Sequence, residues 1–130
     1  MESIMMGINI RTDKQANRRY ADLILDGLKT LESRNRPTLK CYEGKRMGII
    51  RTGEGRARLI GYVTVGKGFE VSAEEFRRLE DQHCVPESSE HDVVQSKWLY
   101  PMLDPQRCEE VEVFSKGMIA RRIDASKHVD

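Results

Sequence analysis

Apolar residues fall into two periods along this chain. From Ile4 to Arg11 they occupy every second position (Ile4, Met6, Ile8, Ile10), the period of a half-buried strand. Thr12-Asp13-Lys14-Gln15 has the Thr-x-x-Gln form of a capping box and predicts a first helix running to Asp26, in which Tyr20, Leu23, Ile24 and Leu28 keep helical spacing. Gly27 supplies the residue that closes such a helix, and a second strand is expected from Thr30. Pro37 to Gly44 reads as a loop, and Arg46–Thr52 and Ala57–Lys67 read as a hairpin across Gly53-Glu54-Gly55. Ser72-Ala73-Glu74-Glu75 forms another capping box, whose helix turns Phe76 and Leu79 inward. Ser89–Trp98 is expected as a short helix ending before Pro101. Glu109–Phe114 and Met118–Ile123 supply the last strands, with a turn at Lys116-Gly117. About six strands with two to three helices make an α+β, β-rich protein. That is too many strands and too few helices for a doubly wound sheet, and it predicts a small closed or partly closed β-barrel flanked by helices.

The richest chemistry lies at Gly27-Leu28-Lys29-Thr30-Leu31-Glu32-Ser33-Arg34, where helix becomes strand. Strand alternation puts Thr30, Glu32 and Arg34 on one face and Leu31 and Ser33 on the other. Lys29 sits at the junction within reach of Glu32 and Arg34. Two readings of the pair stay open. Glu32 and Arg34 can lock helix to barrel as a partly exposed ion pair worth about 0–1 kcal/mol. Alternatively they can line a pocket at the barrel mouth, the carboxylate accepting from a base edge and the guanidinium donating to carbonyl or phosphate oxygens. Lys29 is a phosphate or oxyanion partner in the second reading and a surface charge in the first.

The pattern Gly-x-Lys-x-x-Glu-x-Arg at residues 27–34 resembles the signature of the ASCH domains (activating signal cointegrator homology) of the PUA-like superfamily. Tyr20–Gly27 looks like the helix leading into that motif, Gly61-Tyr62-Val63-Thr64-Val65 like its central strand, and Lys116-Gly117-Met118 like the turn before its last strand. The resemblance spans roughly residues 4 to 124 and implies one PUA-like domain over 1–130 with a polar tail at about 125–130. It also implies an RNA- or nucleotide-recognition module that holds single-stranded RNA or a (modified) nucleoside beside the motif. Lys29, Thr30, Glu32, Arg34, Arg36 and Tyr42 are the binding residues expected. The alternative is a hydrolase, because some small ASCH proteins are nucleoside amidohydrolases using a Lys, a Thr and a Glu, and others are ribonucleases. Here Lys29 and Glu32 would carry the catalysis. The amidohydrolase threonine lies three residues after the lysine, however, and that position is Glu32, with Thr30 adjacent to Lys29 instead.

Composition adds three points. Residues 1–68 hold 14 Lys/Arg against 7 Asp/Glu, a net of +7, while residues 69–130 hold 8 against 14, a net of −6. This asymmetry points to a basic face for a polyanion. Cys41, Cys84 and Cys108 are three widely spaced thiols without a Cys-x-x-Cys pair, which predicts neither a disulfide framework nor a zinc site but buried or half-buried free thiols in a reducing, cytoplasmic setting. The start lacks a basic, apolar secretory pattern, and no apolar run reaches membrane-spanning length. No cofactor, metal or membrane partner is expected. His83, Cys84 and His91 would need a fold-back to share a metal. Among sparse aromatics Tyr42 is the expected base stacker, whereas Trp98 is expected in the core or as a helix lid.

Overall fold

A single strand of 17 residues, β6 (Ser96–Glu112), organises the fold. In the computed structural model, which describes residues 4–87, 89, 92 and 96–124, it pairs directly with three of the six other strands. Those six are β1 (Ile4–Arg11), β2 (Leu31–Arg34), β3 (Arg46–Thr52), β4 (Arg58–Val65), β5 (Phe69–Ser72) and β7 (Ala120–Asp124), with helices α1 (Tyr20–Leu25), α2 (Ala73–Arg78) and α3 (Glu80–His83). The N-terminal part of β6 lies between β2 and β5, and the rest pairs with β4. Asp104 adopts a positive φ of 48° just before Pro105, and the β4–β6 register slips twice. Irregularities of this kind bend a strand and raise its twist, which lets one strand serve both ends of the sheet. The expected helix over Ser89–Trp98 is therefore corrected at its end: Ser96 to Trp98 belong to β6, and residues 93–95 lie outside the described residues.

The architecture is α+β and strand-rich, with strand order β2-β6-β4-β3-β1-β7 and β5 added beside β6. The hairpin across Gly53-Glu54-Gly55 is present as antiparallel β3 and β4, and β4 is central. Met118–Ile123 is shortened to β7, which runs antiparallel to β1 rather than forming a hairpin with the strand before it. Of the closed or partly closed barrel expected, the structure has the open form. No ladder joins β2 to β7, so the sheet curls but stays open along that seam. β2 has only four residues, and side chains rather than backbone bonds reach across the gap.

Both faces of the sheet are covered. One core gathers Ile8, Ile10, Ile49, Ile60, Val63, Leu99 and Tyr100 under α1, and a smaller one holds Ile50, Ala57, Leu59 and Ile123. Alternation is consequently lost in β3, where Met47 to Arg51 are all buried, as expected of a strand covered on both sides. Gly7 and Gly48 are paired across β1 and β3, and a Cβ at either would meet Ile123, so the second core can close only over glycines.

The Thr12–Gln15 capping box does not form. Thr12 Oγ1 donates instead to Glu54 Oε2 at 2.5 Å, and Asp13 Oδ1 accepts from the Ala16 N–H at 3.0 Å. The carboxylate folds residues 13–18 into a turn, so α1 starts only at Tyr20, without a side-chain cap. The Ser72 box does form, with Ser72 Oγ accepting from Glu75 N–H and the Glu75 carboxylate accepting in return. Phe76 behind it is buried.

Candidate functional site in the open seam

The exit of α1 is fixed by its backbone. Gly27 has φ 78°, its N–H donates to the Ile24 carbonyl at 3.1 Å, and the Leu28 N–H donates to the Leu23 carbonyl at 3.0 Å. This is the hydrogen-bond pair of a Schellman stop, which needs a residue tolerant of positive φ. It turns Lys29 inward while Leu28 remains exposed. Lys29 is 1% exposed. Its ammonium donates to the His83 carbonyl, lies 3.6 Å from Glu32 Oε1, and sits 4.8 Å from the centre of the Tyr20 ring. Burial pushes the Lys29 pKa down, and the neighbouring Glu32 carboxylate opposes that shift.

Along β2, Glu32 and Arg34 do share a side. Arg34 Nε and Nη2 both lie 3.0 Å from Glu32 Oε2, and Arg34 Nη2 also donates to the Asn9 carbonyl of β1 at 2.9 Å. That last bond spans the seam where barrel hydrogen bonds would otherwise run. Glu32 is only 7% exposed, so of the partly exposed pair that one reading held, the carboxylate is buried between two cations.

His83 braces this arrangement from α3. Its Nδ1 accepts from the Val85 N–H at 2.9 Å, which leaves Nε2 to donate to the Phe76 carbonyl at 2.6 Å. The imidazole stacks on Phe76 with centroids 3.8 Å apart and planes 7° apart. Burial pushes its pKa down to about 4, so at neutral pH it is an uncharged structural group that presents its backbone carbonyl to Lys29.

A cleft of about 420 Å³ opens over these residues. Asn9 and Arg11 of β1, Ser33 and Asn35 from β2 and its end, Lys97 of β6, and Arg121 of β7 complete its polar wall. Lys97 is 4% exposed and donates to Asn35 Oδ1 at 2.6 Å. Burial lowers its pKa too, against the raising influence of Glu32 and Asp92. Arg121 Nε donates to Asn9 Oδ1 at 3.0 Å, and its Nη1 donates to the Ser115 carbonyl at 3.1 Å. Among the described residues the lining thus contains five Lys/Arg side chains and a single carboxylate, Glu32.

Of the six residues expected at a site, Lys29, Glu32 and Arg34 meet in this cleft. Thr30, Arg36 and Tyr42 do not line it. Thr30 and Arg36 are exposed before and after β2. Tyr42 packs its half-buried ring against the main core from a short 3-10 turn. Sequence reasoning missed Asn9, Lys97 and Arg121, which arrive from three separate strands. Much of the basic N-terminal half is also internally neutralised. Arg51 pairs with Asp22 and Glu110, Arg56 and Arg58 approach Glu112, and Arg19 holds Glu54. The charge imbalance in sequence is partly folded against itself, and the cleft is one place where positive charge stays in excess. Cys41 is exposed rather than buried or half-buried, while Cys84 and Cys108 are intermediate. His91 and the tail at 125–130 lie outside the described residues. Among the described residues no three His, Cys, Asp or Glu side chains group as metal ligands, and no helix is long and apolar enough to cross a membrane.

Comparison with solved structures identifies the fold. An ASCH protein from Zymomonas mobilis superposes with a TM-score of 0.70 at 14% sequence identity, covering 95% of this chain and 90% of that one. Two single-residue variants of the same protein match equally, with 92% and 94% of their chains covered. No family model matches the sequence, nor does any curated protein. The chain therefore has an ASCH-type fold, at an identity that speaks for architecture alone.

Proposed function

We propose that this protein binds single-stranded RNA or a nucleotide, modified bases included, in the seam cleft beside Gly27–Arg34. The observation that carries the reading is the charge of the cleft: Arg11, Lys29, Arg34, Lys97 and Arg121 face one carboxylate. Its volume of about 420 Å³ falls within the range of roughly 300–1,000 Å³ usual for small-ligand sites. Asn9, Ser33 and Asn35 add neutral hydrogen-bonding groups of the kind that read unpaired base edges. Tyr20 is the one aromatic in the lining among the described residues, and it is buried, so hydrogen bonds and guanidinium planes would hold a base rather than a stacking platform. Single-stranded ligands suit such a cleft because their base edges are free.

The test is fluorescence anisotropy with a labelled single-stranded RNA across a salt series. Each neutralised phosphate should contribute a slope of about −0.7 in log affinity against log salt, so three contacts give roughly −2. Arg11→Glu and Arg121→Glu should weaken every sequence tested. An affinity indifferent to both salt and these substitutions would remove the reading.

One observation favours a second reading, hydrolysis of an RNA or modified nucleoside by Lys29 and Glu32. Burial lowers the Lys29 pKa, the condition under which a lysine can move protons near neutral pH. Against it, the Lys29 ammonium is already engaged by the His83 carbonyl, Glu32 and the Tyr20 ring. Turnover of RNA or a modified nucleoside that disappears in Lys29→Met would favour this reading over binding alone.

A further inference from the structure

Three cations meet at the floor of the cleft, Lys29, Arg34 and Lys97, around Glu32, the single carboxylate in its lining among the described residues. Lys29 and Arg34 share that carboxylate. Lys97 is left over. It is 4% exposed, next but one along the strand to fully buried Leu99, where strand periodicity calls for an apolar side chain. Its hydrogen-bond partner is the neutral Asn35 amide, and its ammonium is 5.9 Å from the centre of the Phe76 ring. The two carboxylates acting on it from a distance are committed elsewhere, Glu32 as above and Asp92 in a 2.8 Å pair with Arg77. A buried cation without a counter-charge is expensive, and residues that break the local rule without structural gain mark functional positions.

Resting on the nucleotide-binding reading, we infer that the floor of this cleft is a subsite for a terminal phosphate, a phosphomonoester dianion, with Lys97 as its principal cation. The surplus of two positive charges matches a phosphomonoester, whose second ionisation lies near pH 6. An internal phosphodiester carries one charge and must let the chain continue on both sides. One nitrogen of Lys97 spends a single donor on Asn35, leaving two for phosphate oxygens. Arg121, which also lines the cleft, spends Nε and Nη1 on Asn9 and Ser115, leaving its Nη2 donors unspent. The subsite thus selects RNA ends or mononucleotides that carry a phosphate over those ending in a hydroxyl.

The experiment compares wild-type protein with short oligoribonucleotides of one sequence ending in 5′-phosphate, 3′-phosphate or hydroxyl, and with a nucleoside and its monophosphates. Phosphate at one end should tighten binding by about tenfold or more, the worth of a charge-assisted contact. Lys97→Met, which keeps the side-chain length and removes the charge, should abolish that increment. Hydroxyl-ended RNA should lose less affinity in this variant than phosphate-ended RNA does, so that the two ends bind alike. Competition by inorganic phosphate against the phosphorylated end alone would show that the anion is sufficient. Equal affinity for phosphate- and hydroxyl-ended RNA overturns the subsite while leaving RNA binding in place, and this comparison needs only the wild-type chain. If neither RNA nor mononucleotide binds, the broader reading fails, and failure of inorganic phosphate to bind as well would take the subsite with it.

Discussion

Replacing Glu32 by Gln removes one negative charge and almost no volume, and the structure sets what that should cost. Glu32 lies 3.6 Å from the Lys29 ammonium and 3.0 Å from the Arg34 guanidinium. At an effective dielectric of about 20, each attraction amounts to about 5 kcal/mol. Not all of it is lost. Gln keeps an acceptor for Arg34, whose side chain is 18% exposed and can hydrate, whereas that of Lys29 is 1% exposed and cannot. Leaving one buried cation uncompensated should cost about 3 kcal/mol, well above the 0–1 kcal/mol of a surface pair. With a urea m-value of about 1.5 kcal/mol per molar, the unfolding midpoint drops by about 2 M. Trp98, the sole tryptophan and half-buried beside β2, reports the transition by fluorescence. The pH dependence has a definite sign. The folded-state pKa of Lys29 is depressed below its unfolded value of 10.5, so the folded chain sheds that proton first and gains stability as pH rises towards the unfolded value. In the variant, with Glu32 no longer supporting the ammonium, the deficit should be smaller near pH 9.5 than near pH 7. A loss below about 1 kcal/mol at neutral pH, or a deficit flat with pH, would refute the buried-carboxylate account.

His83 has its folded pKa pushed down to about 4 from 6.5, so its contribution is complete above pH 6.5 and is lost as pH falls towards 4. Up to about 3 kcal/mol should disappear over that window. NMR titration should show the ring neutral until about pH 5, and His83→Gln should flatten the acid limb of a stability–pH curve. Ser72→Ala removes the cap of α2 and should lower stability by about 1 kcal/mol in thermal melts, without affecting RNA affinity. Gly61→Ala would drive a methyl into the Gln106 carbonyl and the Leu25 side chain. A loss of about 1–3 kcal/mol is expected, read as a lower urea midpoint.

The parts of this molecule that were legible in sequence are those fixed by neighbours along the chain. Gly53-Glu54-Gly55 announces the β3–β4 hairpin, and Ser72–Glu75 announces the start of α2. Gly27 ends α1 and so brings Lys29, Glu32 and Arg34 together. Local signals failed where contacts are distant. Thr12–Gln15 has the form of a cap, but Glu54, 42 residues away, takes the Thr12 hydroxyl. Pro101 reads as a break, yet β6 passes through it and through Pro105 because its bend and register slips absorb them. Lys97 looks like an ordinary charge before Trp98-Leu99-Tyr100. Only the antiparallel register that sets Arg34 against Trp98 brings Asn35 beside it. Asn9 and Arg121 join the site through pairing of β1 with β7, chain segments more than 100 residues apart.

The central claim is that nucleic acid enters the open seam, and amide chemical-shift mapping with a single-stranded RNA tests it most directly. The account predicts that titration moves the signals of Asn9–Arg11, Lys29–Asn35, Lys97 and Gly117–Arg121 together, with one salt-sensitive affinity. Shifts clustered elsewhere, around Arg56 and Arg58 or on α2, or no saturable shifts at all, would contradict it.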